Sequence, residues 1–330
     1  MTIRFRAVPV AAVALVCGVG LASAGCGRYS WSTLSAVKSF KDGNLAYQQK
    51  DWKKAAEKYE EVVQHEGAFA NFPQLATAYF FLGNSYDQLY KPTKQGDATN
   101  DAYIQKAIAN YRKGADKNAD KQWKKSCLEY LAAAYGSDKL NDPAKAEPVY
   151  QEIIALEPNE PQNYIALAKL YEDAGRYDDA EAQLQKANSV KPNDPTVLAS
   201  MASYYNRQGD FPKTIAALEQ AAAVEPNNPE GYHRVGVFYQ DKARQDFRLS
   251  PAQKREYILK GIEMEDKALS LNPDYMDAMT YKNILLRMQA NLEKDPVKQK
   301  QLIQQADDLQ KKAMAVRDKQ ATAAPATKPK

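Results

Sequence analysis

The sequence contains few of the residues that build redox, metal and catalytic sites. Only three of its 330 residues are cysteines and only two are histidines. The histidines, His65 and His233, are far apart, and no metal-ligand spacing joins them. A glycine-rich phosphate loop, a nucleophile elbow and a Cys–His arrangement with an orienting group are also missing. We therefore expect no enzyme, no metal, no other cofactor and no small-molecule substrate.

The chain also lacks a strong charge of either sign. Its 45 Lys and Arg residues nearly balance 41 Asp and Glu residues, for a formal net charge of +4, and the two signs are interspersed. Proteins that bind nucleic acid usually carry a basic patch or stripe, so we expect no nucleic-acid partner. The mean hydropathy of −0.63 indicates a well-hydrated body. The 21 tyrosines favour half-buried packing positions over one deep core.

The first 25 residues have the three-part layout of a secretory signal. Arg4 and Arg6 precede an apolar run over residues 7–22, and small residues follow at 23–25. The apolar run is too short to span a bilayer comfortably. We expect residues 1–25 to be a signal peptide and the protein to be exported. The alternative is a short membrane helix that is not removed.

Two processing routes are open for this signal. Residues 23–26, Ser-Ala-Gly-Cys, look like a bacterial lipobox, although Ser23 stands where lipoproteins usually carry Leu. Ala22-Ser23-Ala24 also suits ordinary signal peptidase, which would release a soluble chain. We expect lipidation of Cys26, with residues 26–35 as a tether, because a diacylglycerol and an N-acyl chain together anchor a protein firmly. By resemblance to enteric lipoproteins, Gly27 is compatible with an outer-membrane lipoprotein that faces the periplasm.

The cysteine count agrees with this assignment. Cys17 lies in the predicted signal and Cys26 would be acylated, so only Cys127 remains in the body of the chain. No intramolecular disulfide is then possible. Cys127 falls within an apolar helical pattern, which predicts a small buried hydrophobic residue rather than a reactive thiol.

Two segments repeat one pattern of large and small residues about 34 residues apart. The first segment has Tyr164, Leu167, Ala168, Tyr171, Gly175, Tyr177, Ala180, Leu184, Ala187 and Pro192. The second has Leu198, Met201, Ala202, Tyr205, Gly209, Phe211, Thr214, Leu218, Ala221 and Pro226. This spacing resembles the tetratricopeptide repeat (TPR), a helix–turn–helix unit of that length. The resemblance implies an all-α fold, a right-handed TPR superhelix that is an α-solenoid of antiparallel helix pairs.

Weaker copies of the pattern extend the array over residues 36–316. We expect about six full repeats and then a degenerate hairpin, 279–292 and 297–316, that caps the array. A polar insertion at 91–100 enlarges the loop within the second repeat. Residues 317–330 are Ala, Thr, Pro and Lys with little to bury, and we predict that they are disordered.

The TPR resemblance also implies a partner groove, lined by first-helix residues that do not pack between helices. In the first two repeats these residues are aromatic or amide-bearing: Phe40, Asn44, Tyr47, Phe80, Phe81 and Asn84. The alternative is that some of these rings pack in the core. Asn44 and Asn84 match the asparagines of the carboxylate clamp found in chaperone-tail-binding TPR proteins. Phe40 and Phe80 stand where that clamp needs lysines, so capture of a C-terminal carboxylate is not expected.

The later repeats place charged residues on the same inner stripe. They are Lys169, Arg207, His233, Arg234 and Arg287, mixed with acidic residues. A charged peptide surface could dock here by complementarity, or the stripe could be a solvated face.

Taken together, these features predict a membrane-anchored TPR scaffold that mediates protein–protein interactions in the bacterial cell envelope. Its expected partners are proteins or peptide segments, and the membrane through the lipid at Cys26. One rival is a soluble periplasmic binding or regulatory module that delivers a partner to a separate enzyme. Another is a solenoid with a hydrolytic site of its own.

Overall fold

The computed structural model describes residues 30–323, with side chains described through residue 320. Over that span the chain is all-α, with three short 3₁₀ turns and no strand. The helices are α1 (Trp31–Gln48), α2 (Trp52–Val63), α3 (Ala78–Leu89), α4 (Ala98–Lys117), α5 (Lys121–Tyr135), α6 (Pro143–Leu156), α7 (Pro161–Asp173), α8 (Tyr177–Val190), α9 (Pro195–Arg207), α10 (Phe211–Val224), α11 (Pro229–Gln245), α12 (Pro251–Leu271), α13 (Met276–Leu292) and α14 (Pro296–Ala323). The predicted all-α fold of successive helix pairs is confirmed.

The chain divides into two compact units. The first holds the described residues up to Lys91 together with Gly96–Trp123, and it contains the helices α1 to α4 and the start of α5. The second holds Pro92–Gln95 and the residues from Lys124 onward. Within each unit a helix packs chiefly against the helices next to it in sequence, as in α1 with α2 or α13 with α14.

The array extends past both predicted ends. Helix α1 begins at Trp31 because the Ser30 side chain caps it, accepting a hydrogen bond from the Thr33 amide at 3.2 Å. At the other end α14 continues to Ala323, since strong helix formers such as Lys319 and Gln320 occur there and no proline follows until Pro325. The tether predicted over 26–35 and the disorder predicted over 317–330 are therefore wrong where they overlap these helices. The predicted signal peptide and Cys26 lie outside the described residues.

Local residues set two of the internal helix boundaries. Ser250 and Gln253 form a reciprocal capping box at the start of α12, with Pro251 as the first helical residue. The polar insertion at 91–100 delays α4, which begins at Ala98. Across residues 30–323, no helix combines the length and the apolar character needed to cross a membrane.

One turn geometry recurs between the two helices of a pair. Lys50, Gly175 and Gly209 each adopt a left-handed backbone, with φ of 59°, 73° and 74°. The amide that follows each of them bonds back to the last turn of the first helix, for example from Arg176 to the Tyr171 carbonyl at 2.8 Å. This is the Schellman ending, in which the left-handed residue satisfies carbonyls that the helix leaves open. It reverses the chain so that the second helix packs against the first.

Small residues let the paired helices of the first compact unit approach closely. A Cβ added at Gly43 would lie 2.9 Å from the ring of Tyr59, and one added at Gly83 would lie 2.8 Å from the ring of Tyr111. Both tyrosines are fully buried. The large side chain of the second helix therefore fills the space that the glycine of the first helix leaves.

The second compact unit is held by several small apolar clusters. One joins α7, α8 and α9 around Leu167, Tyr171 and Leu184, and another joins α9 to α12 around Leu218 and Val235. Each cluster is shared by helices adjacent in the chain, as expected for stacked repeats. Cys127 on α5 is buried with 0% exposure, and burial raises the pKa of its thiol to about 12. The prediction that Cys127 is buried is confirmed.

Candidate functional site

Four half-buried rings form a continuous surface across the first helices of the first compact unit. Phe40 and Tyr47 lie on α1, Phe81 on α3 and Trp123 at the start of α5. The ring of Phe81 is 5.2 Å from that of Tyr47 and 5.5 Å from that of Trp123. Phe40 joins the set through the buried ring of Tyr59, which it meets edge-on at 6.1 Å and which stacks on Phe81 at 5.6 Å. We call Phe40, Tyr47, Phe81 and Trp123 the aromatic row.

Buried aromatic side chains pack against the aromatic row and hold its rings in place. Phe80, with 4% exposure, lies 5.3 Å from Phe81 and 5.4 Å from Trp123. It also meets the fully buried ring of Tyr111. The prediction that Phe80 lines an open groove is therefore wrong. Adjacent residues on a helix point about 100° apart, so when Phe81 faces outward its neighbour Phe80 turns into the core.

The two predicted asparagines join α1, α2 and α3 by hydrogen bonds. Tyr47 Oη donates to Asn84 Oδ1 at 2.6 Å, and Tyr59 Oη donates to Asn44 Oδ1 at 2.8 Å. Asn84 is 4% exposed, so its predicted place on an accessible surface is also wrong. Asn44 is half-buried, and its side-chain amide nitrogen makes no hydrogen bond within residues 30–323. Asn44 therefore retains two donors beside the aromatic row.

Burial controls the ionisation of the hydroxyl beneath the row. It raises the pKa of Tyr59 well above the ordinary tyrosine value, with a smaller contribution from Tyr47. The hydroxyl therefore stays protonated and keeps donating to Asn44. The aromatic row and Asn44 include no carboxylate and no amine, so this surface has the chemistry of apolar contact and amide hydrogen bonding rather than of acid–base catalysis.

The charged residues predicted for the later repeats are mostly engaged within the second compact unit. Arg207 on α9 makes two hydrogen bonds to the carboxylate of Glu172 on α7, at 2.6 and 2.8 Å. Lys169 pairs with Asp173 and lies 3.9 Å from Glu172. The Arg207–Glu172 contact connects the first helices of neighbouring repeats, whereas the contacts of Lys169 lie within α7. Arg207 and Lys169 are exposed but already paired, whereas Arg234 is exposed without an ion pair in the described part of the chain.

His233 is half-buried and pairs with a buried carboxylate. Its Nδ1 lies 2.9 Å from Oε2 of Glu265 on α12, a side chain with 0% exposure. The rings of Tyr275 and Tyr281 meet the imidazole edge-on, each at 5.1 Å. Burial raises the pKa of Glu265 to about 7, while the hydrogen bond from His233 acts in the opposite direction. His233 is thus engaged with Glu265, and its place in the partner groove stays a prediction.

The structure brings the aromatic residues together and disperses the charged ones. Trp123 completes the aromatic row but was missed in the sequence because it lies about two helical turns before Tyr130, the residue equivalent to Phe81. A search for large aromatics near the start of each first helix would have found it. Among the described residues, no group of three or more histidine, cysteine, aspartate or glutamate side chains is placed to hold a metal ion.

Comparison with known proteins identifies the repeats over part of the chain. Residues 139–204, from the α5–α6 loop to α9, match the family model described as "Tetratricopeptide repeat". No curated protein sequence matches the chain.

Similar solved structures share little sequence with this chain. The C-terminal part of a TPR repeat-containing protein from Cytophaga hutchinsonii is 17% identical, with a TM-score of 0.48, and the match covers 84% of this chain and 98% of that one. A tetratricopeptide repeat protein from Parabacteroides merdae is 13% identical, with a TM-score of 0.45 and coverage of 83% and 99%. MamA from Desulfovibrio magneticus is 18% identical, with a TM-score of 0.39 and coverage of 60% and 97%.

Proposed function

We propose that this chain, which is all-α over residues 30–323 and matches the tetratricopeptide-repeat model at residues 139–204, is a scaffold that holds segments of other proteins at the bacterial cell envelope. Stacked helical repeats present extended surfaces for protein binding, so protein or peptide partners follow from the fold. The aromatic row is the observation that carries the site proposal. In it, first-helix side chains from three repeats are partly exposed and are held in place by buried rings.

The aromatic row has the physical properties of a binding hot spot. Its rings are large and partly accessible, and buried neighbours such as Phe80 and Tyr59 hold them in place. A partner would therefore gain apolar contact without ordering flexible side chains. The residues that dominate protein interfaces are often of this kind, with tryptophan and tyrosine among the most frequent.

The neighbouring amide indicates the form of the partner. The open donors of Asn44 can bond a main-chain carbonyl, which is exposed in an extended segment and already paired in a helix or sheet. The proposed ligand is thus an extended segment that places an apolar or aromatic side chain on the row and a carbonyl at Asn44. A free C-terminal carboxylate is not required.

Anchoring to the membrane is proposed from the sequence. The apolar run at 7–22 and the cysteine at position 26 support export and lipidation, and Gly27 is compatible with the outer membrane. In this proposal the array faces the periplasm, and catalysis belongs to other proteins. Ala22-Ser23-Ala24 supports the soluble alternative, in which signal peptidase releases the chain to deliver a partner to a separate enzyme.

Site-specific photo-crosslinking in living cells tests the binding surface. A photoreactive phenylalanine at position 40 should give discrete adducts with envelope proteins, identified by mass spectrometry. The matched control places the same group at Gln105, which is exposed on α4 away from the aromatic row. Adding Asn44→Ala should reduce the position-40 adducts by a factor of about 5 to 10, the loss expected for one hydrogen bond of about 1 kcal/mol. Equal adducts at both positions would refute the site.

Metabolic labelling tests the anchor separately. A fatty-acid analogue should label the wild-type chain, and Cys26→Ser should abolish the label. Globomycin, which blocks lipoprotein signal peptidase, should cause a larger precursor to accumulate. An unlabelled chain that matures normally in the presence of globomycin would replace the anchored scaffold with the soluble module.

A further inference from the structure

One face of α1 carries large apolar side chains that nothing in the described chain covers. Trp31 is 85% exposed, Leu34 47% and Leu45 56%. Their spacing, together with that of Lys38 and Lys41, places all five on one side of the helix. We call these five residues the outer face of α1. Exposed apolar side chains that share one face of a helix with lysines are typical of a helix that lies on a membrane surface.

The outer face is distinct from the aromatic row. The opposite side of α1 packs into the first compact unit through the buried residues Ala36, Gly43 and Ala46. Phe40 and Tyr47 of the aromatic row also lie on the far side of the helix from Leu34 and Leu45. A protein segment on the aromatic row therefore leaves the outer face uncovered.

The position of α1 in the chain limits what can cover its outer face. Trp31 follows Cys26 by five residues, which can span at most about 17 Å when fully extended. If Cys26 is acylated as proposed, the start of α1 cannot leave the neighbourhood of the bilayer surface. A peripheral protein that covered the outer face would then have to fit into the narrow space between α1 and the bilayer.

The composition of the outer face matches that surface. Tryptophan favours the headgroup region of a bilayer, and leucines can enter the boundary with the acyl chains. Lys38 and Lys41 are exposed on the same face and can approach anionic headgroups. Asp42, the one acidic residue of α1, is half-buried and lies at the edge of the outer face rather than at its centre.

We propose that the outer face of α1 lies on an anionic phospholipid surface, with Trp31 among the headgroups. The proposal rests on the anchored form of the proposed function. It adds a second membrane contact that fixes the orientation of the first compact unit. A lipid chain alone holds a protein at a membrane, whereas a helix lying on the surface also limits which way the protein faces.

Quenching by brominated lipid tests this contact in the processed, lipidated protein. The variant Trp52→Phe/Trp123→Phe leaves Trp31 as the remaining tryptophan. It is reconstituted in vesicles of phosphatidylethanolamine and phosphatidylglycerol, with or without bromine on the acyl chains. We expect bromine to remove most of the Trp31 emission. The matched control, Trp31→Phe/Trp52→Phe, reports from Trp123 in the aromatic row and should keep its emission. Circular dichroism verifies that both variants fold.

Flotation of the same vesicles separates this proposal from the anchor. A chain that does not float with the vesicles overturns the anchor on which the proposal rests. A chain that floats with unquenched Trp31 overturns the contact alone, and protection of that Trp31 from aqueous iodide would assign the face to protein instead. Lys38→Glu/Lys41→Glu should still float but lose much of the quenching. Unchanged quenching in that variant would contradict the anionic partner.

Discussion

Gly83 lies where two helices of the first compact unit are closest, and replacing it with alanine should be destabilising. A Cβ there would lie 2.8 Å from the Tyr111 ring and 3.2 Å from the Ala107 carbonyl oxygen. Tyr111 is fully buried and bonds Asp87 at 3.2 Å, so its ring has little room to move. Overpacking of this kind typically costs about 1–3 kcal/mol, which exceeds the gain of about 0.5–1 kcal/mol from placing alanine in a helix.

We therefore expect Gly83→Ala to lower the midpoint of thermal unfolding, measured by circular dichroism. Gly67→Ala is the matched control, because no atom lies within 4 Å of a Cβ at that position. The control should leave the midpoint nearly unchanged. Equal midpoints for the two variants would contradict the close packing of α3 on α4.

Glu265 should make the second compact unit less stable as the pH rises. Burial raises its pKa from an ordinary value near 4.5 to about 7, against the opposing influence of His233. Between these values the folded chain binds more protons than the unfolded chain, so the free energy of unfolding falls with increasing pH. Asp266 and Asp277 act in the same direction as burial, since negative charge favours the protonated carboxyl. Stability gained at low pH is thus lost as the pH passes through about 7.

Urea unfolding at several pH values between about 5 and 8 measures this effect. The wild-type chain should lose on the order of 2 kcal/mol across the interval, and Glu265→Gln should be much flatter because the amide cannot titrate. A variant with the wild-type slope would assign the pH dependence to other groups. His233→Gln tests the partner, since it removes the imidazole but keeps a polar side chain.

At the scale of the element, the turn between paired helices can be improved. Lys50 holds a left-handed backbone with φ of 59°, where the equivalent turns of later repeats carry Gly175 and Gly209. A side chain in that conformation costs about 1 kcal/mol, and glycine avoids the cost. Lys50→Gly should therefore raise the urea midpoint, while Gly175→Ala should lower it. A loss of stability in Lys50→Gly would show that its side chain contributes more than its backbone costs.

Helix boundaries were predictable where a single residue determines them. Ser250 and Pro251 mark the start of α12, and the prolines at 192 and 226 follow the ends of α8 and α10. The end of α14 was not predictable in this way, because residues 317–320 are helical although their side chains are exposed. Composition alone suggested disorder there, whereas helix propensity continues the preceding helix up to the neighbourhood of Pro325.

The aromatic surface was predictable as a region but not residue by residue. Periodicity places Phe40, Tyr47 and the pair Phe80–Phe81 on first helices, yet the rotation of α3 decides which phenylalanine is exposed. That rotation depends on two tyrosines from second helices. Tyr59 packs against Phe81, and Tyr111 packs against Phe80. The pairing of His233 with Glu265 likewise joins α11 to α12 across 32 residues, a contact that no local pattern encodes.

For each compact unit as a whole, stability should be local. Leu184 is 3% exposed in the cluster shared by α7, α8 and α9. Replacing a buried leucine with alanine costs about 2–5 kcal/mol, and in a repeat array that loss falls mainly on adjacent helices. Hydrogen exchange followed by mass spectrometry should show faster exchange in α7 to α9 of Leu184→Ala, with α13 and α14 little changed. Uniform acceleration from α6 to α14 would indicate one cooperative core instead.

The neighbour-to-neighbour packing of the second compact unit also has a mechanical consequence. Its main contacts join each helix to those beside it in the chain, such as α11 with α12 and α12 with α13. Tension applied at the C-terminal end can therefore detach one hairpin before the contacts among the preceding helices break. We therefore expect this unit to lengthen under tension in a series of small steps, one hairpin at a time.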